Sequence, residues 1–183
     1  RECDAVVCLP QGNLQALKKA VREFEQVCRE ELRARDPGAS LWVSEDGFPA
    51  PDQVFRAEFQ DRLLDLLGCL PHGVITMSPD IPGLVQTSTN LAVITTDEGA
   101  ITICTSQRSS VATELVTASD MVAAAGRLAG AHVHHGEGYP GWKPNPDSPI
   151  LGQAMTVYPS LFGKEPNVTG IHAGLECGII GDR

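Results

Sequence analysis

The chain has 183 residues, of which 42% are hydrophobic and 20% are charged, which is typical of a globular protein rather than a disordered one. Its net charge of −9 argues against binding to nucleic acid or to an anionic membrane surface, since both attract Lys and Arg. No apolar run approaches the ~20 residues that span a bilayer. The six cysteines include no CxxC pair, which indicates reduced, mostly buried thiols in a cytoplasmic protein.

The sequence does not begin with Met, so we expect it to be a piece of a longer protein. Its N-terminal part is expected to be mainly helical. A β-favouring run at 3–9 is followed by a helix over 13–33, with Asn13 as its N-cap. Apolar residues at steps of three and four form one face of this helix: Leu14, Leu17, Val21, Phe24 and Cys28. A strand is predicted at 41–44, and a second helix from about Asp52 to Leu67.

Residues 73–136 are expected to form a sheet with a helix lying on it. Val, Ile and Thr are enriched in three predicted strands, at 73–77, 84–95 and 100–105, and Asp97-Glu98-Gly99 predicts a hairpin between the last two. A helix capped by Ser109 or Ser110 and a further strand at 131–136 follow. The order β-β-β-α-β predicts an α+β two-layer sandwich, in which a mainly antiparallel sheet carries helices on one face.

A tract rich in Pro, Gly and Asn at 139–147 predicts a domain boundary. Beyond it, Ser148 is placed to cap a helix that Pro159 should kink or end early, before the stop at Gly163. A last strand is predicted at 167–172.

Two patterns of possible chemistry have ordinary structural alternatives. His132 and His134 would share one face of a strand and could bind zinc, but no third ligand has a fixed relation to them, and a polar edge strand explains them equally. His172 and Cys177 could form a thiol nucleophile with its base, or they could belong to a strand-to-helix turn that needs small residues.

Arg108 is the strongest candidate from the residues alone. It follows a β run, lies beside Ser109 and Ser110, and precedes a helix N-terminus, a combination that favours binding of a carboxylate or phosphate. An ordinary surface charge is the alternative.

Six short segments share their order along the chain with one known family. They are Val85-Gln86-Thr87-Ser88-Thr89-Asn90-Leu91, Gln107-Arg108-Ser109-Ser110, Leu128-Ala129-Gly130-Ala131, Tyr139-Pro140-Gly141-Trp142, Asn145-Pro146-Asp147-Ser148-Pro149 and Ile171-His172-Ala173-Gly174-Leu175-Glu176-Cys177-Gly178. On these segments the sequence resembles the aminoacyl-histidine dipeptidases (PepD type, also called Xaa-His or cytosol non-specific dipeptidases), which are co-catalytic zinc metallopeptidases related to the carnosinases. The resemblance covers roughly residues 70–178 well and the first 70 residues only by pattern.

The resemblance implies a catalytic domain with two zinc ions and an inserted lid domain, a ferredoxin-like α+β plait. Residues 1–142 would be most of the lid, and residues 143–183 would be the incomplete segment that re-enters the catalytic domain. The family's zinc-binding motifs do not occur in this sequence. We therefore expect no catalytic residue, metal ligand or zinc ion in this chain, and no peptidase activity from the chain alone.

The resemblance also implies which residues bind substrate. Arg108 matches the lid arginine that binds the C-terminal carboxylate of the dipeptide, while His172, Gly174 and Glu176 match a substrate-facing loop. The implied partners are a dipeptide and the remaining catalytic domain of the same protein, and a homodimer is implied by the dimer contact that the lid carries in some relatives. Gln107 departs from the apolar residue common in relatives, which makes the strand register there less secure. The alternative function is a non-catalytic α+β module for dimerisation or small-ligand sensing.

Overall fold

The computed structural model describes residues 2–10, 12–45, 49, 51–97, 99–138, 141–142, 144–172 and 180. The chain divides into two compact units, Arg1–Arg56 and Ala57–Arg183. Among the described residues, no helix combines the length and apolar character needed to cross a membrane. The predicted domain boundary at residue 142 remains a prediction.

Helix α1 (Leu14–Leu32) is the one helix among the described residues of the first unit, and it confirms the helix predicted there. Asn13 occupies the N-cap position, and its carbonyl accepts a hydrogen bond of 3.0 Å from the amide of Leu17. The predicted apolar face is half-buried except at Phe24, which is 58% exposed. The predicted strands at 3–9 and 41–44 are wrong, because neither segment pairs with another strand. β-favouring residues form a strand only where a partner completes their hydrogen bonds.

In its described residues, the second unit has an antiparallel sheet in the order β1-β2-β3, and its named helices are α2, α3 and α4. Its elements in chain order are α2 (Ala57–Cys69), β1 (Gly73–Met77), β2 (Val85–Asp97), β3 (Ala100–Ser109), α3 (Ala112–Leu128) and α4 (Pro149–Phe162). The predicted α+β class is confirmed. The predicted hairpin is also present, since Asp97 pairs with Ala100 and Gly99 has a φ of 86°, while Glu98 lies outside the described residues.

Helix α3 packs on β2 and β3 and leaves the opposite face of the sheet without a helix among the described residues. Small residues allow the close approach, since Ala118 and Ala123 are buried at 1% and 0% exposure. Along β3 the exposed residues alternate with half-buried ones. The exposed set is Ala100, Thr102, Cys104, Ser106 and Arg108. Arg108 therefore lies on the open face, away from α3.

The predicted strands at 131–136 and 167–172 are wrong, so the sheet has three strands in the described part of the chain. After Gly130, whose φ is 76°, the amide of Ala131 bonds to the carbonyl of Gly126 at 2.9 Å. A Cβ built on Gly126 would lie 2.9 Å from Cγ2 of Val133. The chain thus folds back over α3 instead of extending along the sheet.

Three helix ends differ from the predictions: the start of α2, the N-cap of α3 and the end of α4. Helix α2 begins at Ala57 instead of near Asp52. Helix α3 has Val111 at its N-cap position, because the hydroxyl of Ser109 accepts a 3.0 Å hydrogen bond from the Val111 amide and is turned toward the sheet. Helix α4 continues through Pro159 to its predicted stop, where the Gly163 amide donates to the Pro159 carbonyl at 2.9 Å. The expected early end at Pro159 is therefore wrong.

The cysteines are more accessible than predicted. The five described ones are free thiols, and all except the half-buried Cys28 are exposed. The expectation of mostly buried thiols is wrong for these residues. Cys104, for example, is one of the exposed residues of β3.

Candidate functional site

Arg108 and Ser88 lie side by side on the open face of the sheet. The two residues are register partners across the antiparallel β2–β3 pair. Directly opposite residues have Cβ atoms about 5 Å apart and point to the same side. The exposed guanidinium of Arg108 therefore has a hydroxyl as its cross-strand neighbour.

His172 reaches the same place from a distant part of the chain. Its Nε2 lies 2.7 Å from the Oγ of Ser88, across a separation of 84 residues. The preceding backbone is held close to the start of β2, since a Cβ built on Gly170 would lie 2.8 Å from Cδ2 of Leu84. The structure thus brings two of the predicted site residues, Arg108 and His172, close to Ser88, which was not among the predicted site residues.

The environment of His172 favours its neutral form. Burial lowers the pKa of His172 most, and the positive charge of Arg108 lowers it further, while a hydrogen bond with the backbone of Val85 raises it. At neutral pH the imidazole therefore offers one donor and one acceptor and carries no charge. Ser88 is likewise a neutral donor and acceptor.

Arg108 is therefore the charged member of this cluster. Within the described part of the chain, no carboxylate forms an ion pair with its guanidinium. A planar guanidinium with free N–H groups matches a carboxylate in two parallel hydrogen bonds. An exposed Arg108 beside a hydroxyl and a neutral imidazole is chemically suited to bind an anion.

The orientation of Arg108 is fixed by hydrogen bonds on the other face of the sheet. Ser109 and Thr87 are register partners whose hydroxyls are 2.8 Å apart. On the other side of Arg108, Gln107 donates from Nε2 to the Oγ1 of its partner Thr89 at 3.1 Å. A slip of one residue would break both contacts and turn Arg108 toward α3. Gln107, which made the predicted register less secure, is thus one of the residues that hold it.

Glu114 anchors this network from the first turn of α3. Its carboxylate accepts hydrogen bonds from Oγ1 of Thr76 at 2.6 Å, from Nε2 of Gln86 at 2.8 Å and from Oγ1 of Thr87. The Thr76 and Thr87 hydrogen bonds lower the pKa of Glu114 most, and the Gln86 bond adds to this, whereas burial opposes it. The carboxylate is therefore ionised at neutral pH and connects β1, β2 and α3.

Ser88 was not predicted as a site residue, and the hydroxyl of Ser109, which was, lies on the opposite face of the sheet. Arg108 was grouped with Ser109 and Ser110 because they are adjacent along the chain. In a strand, adjacent side chains point to opposite faces, and Ser109 is buried against Thr87. The alternation of polar residues along β2 marks Ser88 as one of several residues on its face. Only the pairing of β2 with β3 shows that Ser88 is the one opposite Arg108.

The other predicted chemistry is only partly visible. Gly174, Glu176 and Cys177 lie outside the described residues, so their expected roles remain predictions. His132 and His134 are exposed. Across the described ranges, no three His, Cys, Asp or Glu side chains converge where they could hold a metal ion. The residues that the structure describes do not form a metal site.

Comparison with known proteins places this geometry in context. No protein-family model matches the chain. The sequence is 31% identical over 179 residues to the cytosol non-specific dipeptidase of Escherichia coli (strain K12), an alignment that covers 98% of this chain and 36% of the relative. The crystal structure of aminoacylhistidine dipeptidase from Vibrio alginolyticus superposes with a TM-score of 0.81 and 33% identity, over 95% of this chain and 35% of that one.

The chain is a part-length relative of the PepD-type dipeptidases. The resemblance inferred from the six segments is thereby confirmed. The chain spans about a third of the length of each of these relatives, so the activity of a whole dipeptidase is assigned to it only as a proposal.

Proposed function

We propose that this chain is the substrate-gripping lid part of a cytoplasmic, zinc-dependent dipeptidase that hydrolyses Xaa-His and other dipeptides. The observation that carries the proposal is the Arg108 guanidinium, which has no carboxylate partner among the described residues and lies beside Ser88 and His172. The similarity to two dipeptidases, over nearly the whole of this chain, supports it.

In the proposed complex, Arg108 binds the C-terminal carboxylate of the dipeptide through two N–H···O hydrogen bonds. Ser88 is close enough to offer a further hydroxyl, and His172 holds that hydroxyl at 2.7 Å. Among the described residues, the neutral imidazole leaves the guanidinium as the one positive charge at this point, which directs the carboxylate to it. Such a grip orients the substrate and contributes through proximity to the reacting groups.

The proposal assigns hydrolysis to the rest of the dipeptidase. The two zinc ions that the family resemblance implies would be held there, and the chemistry they supply is activation of water and polarisation of the scissile carbonyl. The contribution of this chain is binding, orientation and exclusion of water when the lid covers the substrate.

Exposed apolar side chains support a further packing partner. Along α2 and α3, Leu64, Met121 and Leu128 are 58%, 47% and 89% exposed. Large apolar residues in such numbers are usually covered in a complete protein. We propose that the remaining catalytic domain of the same protein is this partner. A second copy of the chain is the alternative partner named by the sequence analysis.

The test compares a dipeptide with its C-terminal amide in the complete protein that carries this chain. Arg108→Ala should lower kcat/KM for the free dipeptide by roughly 2–5 kcal/mol, or about 30- to 4,000-fold, as expected when one partner of a desolvated charge pair is removed. The amide has no carboxylate, so the same substitution should change its kcat/KM little. Arg127→Ala, which removes another exposed arginine near the end of α3, is the matched control and should behave as wild type.

Equal kcat/KM values of the wild type and Arg108→Ala for the free dipeptide would show that Arg108 does not bind the carboxylate. If the complete protein hydrolyses no dipeptide at all but binds amino acids tightly, the non-catalytic ligand-sensing module becomes the better description. Analytical ultracentrifugation of the same samples shows whether the chain associates with itself.

A further inference from the structure

Glu114 is the centre of a hydrogen-bond network that reaches every strand of the sheet. Its partners Thr76, Gln86 and Thr87 lie on β1 and β2, and Thr87 is bonded to Ser109 of β3 at 2.8 Å. The contacts of Thr76, Thr87 and Ser109 are on the face opposite to Arg108. Neither the resemblance nor the sequence analysis gives Glu114 a role at the site.

The carboxylate sets the direction of the whole chain of hydrogen bonds. An ionised carboxylate only accepts, so Thr87 must donate its single hydroxyl proton to Glu114. The Oγ1 of Thr87 then accepts from Ser109, whose own oxygen accepts from the amide of Val111 at 3.0 Å. The order is therefore Val111 N–H to Ser109, Ser109 to Thr87, and Thr87 to Glu114. Each bond in such a chain strengthens the next.

This series of hydrogen bonds lies directly behind the candidate site, on the face of the sheet that α3 covers. Thr87 precedes Ser88, and Ser109 follows Arg108, so two directly bonded residues flank the cross-strand pair of the open face. Thr87 is also 1% exposed, so no water is available to replace its partners. Movement of either residue would move the backbone that carries the guanidinium or the hydroxyl.

We propose that Glu114 is a positioning residue for the substrate-gripping face: it holds β2 and β3 together from α3 and thereby keeps Ser88 and Arg108 in place. The inference rests on the proposed function, because what Glu114 positions is the carboxylate grip. It acts through Thr87 and Ser109 and does not touch the substrate.

Glu114→Gln is a sharp perturbation because the side chain keeps its size but loses one acceptor. Two hydroxyls donate to Oε2 and the Gln86 amide donates to Oε1, so the carboxylate accepts on both oxygens. A carboxamide has one oxygen and one NH₂ group, so at least one donor would face another donor unless the Gln86 amide turns over to present its oxygen. Glu114→Ala removes all three hydrogen bonds whichever way Gln86 is turned. Glu58→Gln removes the same charge from the first turn of α2, where the side chain is exposed, and is the matched control.

The experiment uses the complete protein and two readouts. The first is the NMR titration midpoint of His172, identified by loss of its signal in His172→Gln, which reports the closeness of Arg108. The second is KM and kcat for a dipeptide and its C-terminal amide. In Glu114→Gln we expect the midpoint to rise and KM for the free dipeptide to increase by roughly tenfold, with a smaller change in kcat and in the amide's KM. Glu58→Gln should match the wild type.

A Glu114→Gln protein that is less stable but has an unchanged His172 midpoint and unchanged KM would overturn the proposal, since Glu114 would then be only structural. If this variant does not fold, Ser109→Ala removes one link of the chain while leaving Glu114 in place. Ser109→Ala should raise the midpoint and KM in the same direction, and unchanged values overturn the proposal. If the wild type does not distinguish free dipeptide from amide, the proposed function fails, while the His172 midpoint still decides whether Glu114 positions Arg108.

Discussion

Gly141 allows a direct test of how the last residues of the predicted lid contact the end of β3. A Cβ built on Gly141 would lie 2.2 Å from the carbonyl oxygen of Ser109 and 3.3 Å from the Cα of Ser110. These are backbone atoms of the residues that follow Arg108, so no side-chain rotation relieves the clash. The Gly141→Ala substitution must displace one of the two backbone segments by about 1 Å.

Introducing a group into a site without room typically costs about 1–3 kcal/mol. We expect Gly141→Ala to lower the free energy of unfolding by this amount. Urea unfolding of the complete protein measures it, as a lower midpoint at an unchanged m-value. Where the displaced segment is the one that carries Ser109, Arg108 moves with it, and the KM for a free dipeptide should rise as well if Arg108 binds its carboxylate.

Two other glycines calibrate the measurement. Gly138→Ala meets no atom within 4 Å and should leave the midpoint unchanged. Gly126→Ala meets only the side chain of Val133 at 2.9 Å, and Ala is favoured over Gly in a helix by about 1 kcal/mol, so the two effects should largely cancel. If Gly141→Ala unfolds at the same urea concentration as Gly138→Ala, the predicted contact with Ser109 does not exist.

Two predictions concern pH. The NMR titration midpoint of His172 should lie below its ordinary pKa of 6.5 and should rise in Arg108→Ala, because the Arg108 charge that lowers this pKa is gone. A midpoint that the substitution leaves unchanged would show that the two side chains do not interact. Since this pKa is lowered on folding, the stability that depends on a neutral His172 should be complete above pH 6.5 and decline as the pH falls through the folded value. The pKa of Glu114 is lowered from 4.5 by uncharged partners, so its stabilising contribution should be complete above pH 4.5 and disappear as the pH falls through the folded value. Urea midpoints measured from neutral pH to about pH 3 should therefore fall more steeply for the wild type than for Glu114→Gln, and parallel curves would contradict this.

Much of the local structure could be predicted because it depends on neighbours along the chain. The steps of three and four in Leu14, Leu17 and Val21 define one face of α1, whatever lies against it. The hairpin between β2 and β3 follows from Gly99 between two runs of β-branched residues. Arg108 was found from the sequence because its residue type and its place before a helix are both local features.

The incorrect strands at 131–136 and 167–172 show where local preference stops being sufficient. Both segments contain residues that favour strands, but a strand also requires an unpaired edge at the right place. Val133 is instead drawn back toward Gly126, and the end of the second segment lies against the start of β2, where His172 meets Ser88.

By itself, the sequence determined the class of fold, the main helices and strands, the kinship with dipeptidases and the choice of Arg108 as the candidate anion-binding residue. Only the tertiary structure decided that Ser88 is its neighbour, that His172 joins them and that Glu114 holds the opposite face. The reason is that strand register and contacts across 84 residues depend on how distant segments pack, a property that no local pattern of residue types encodes.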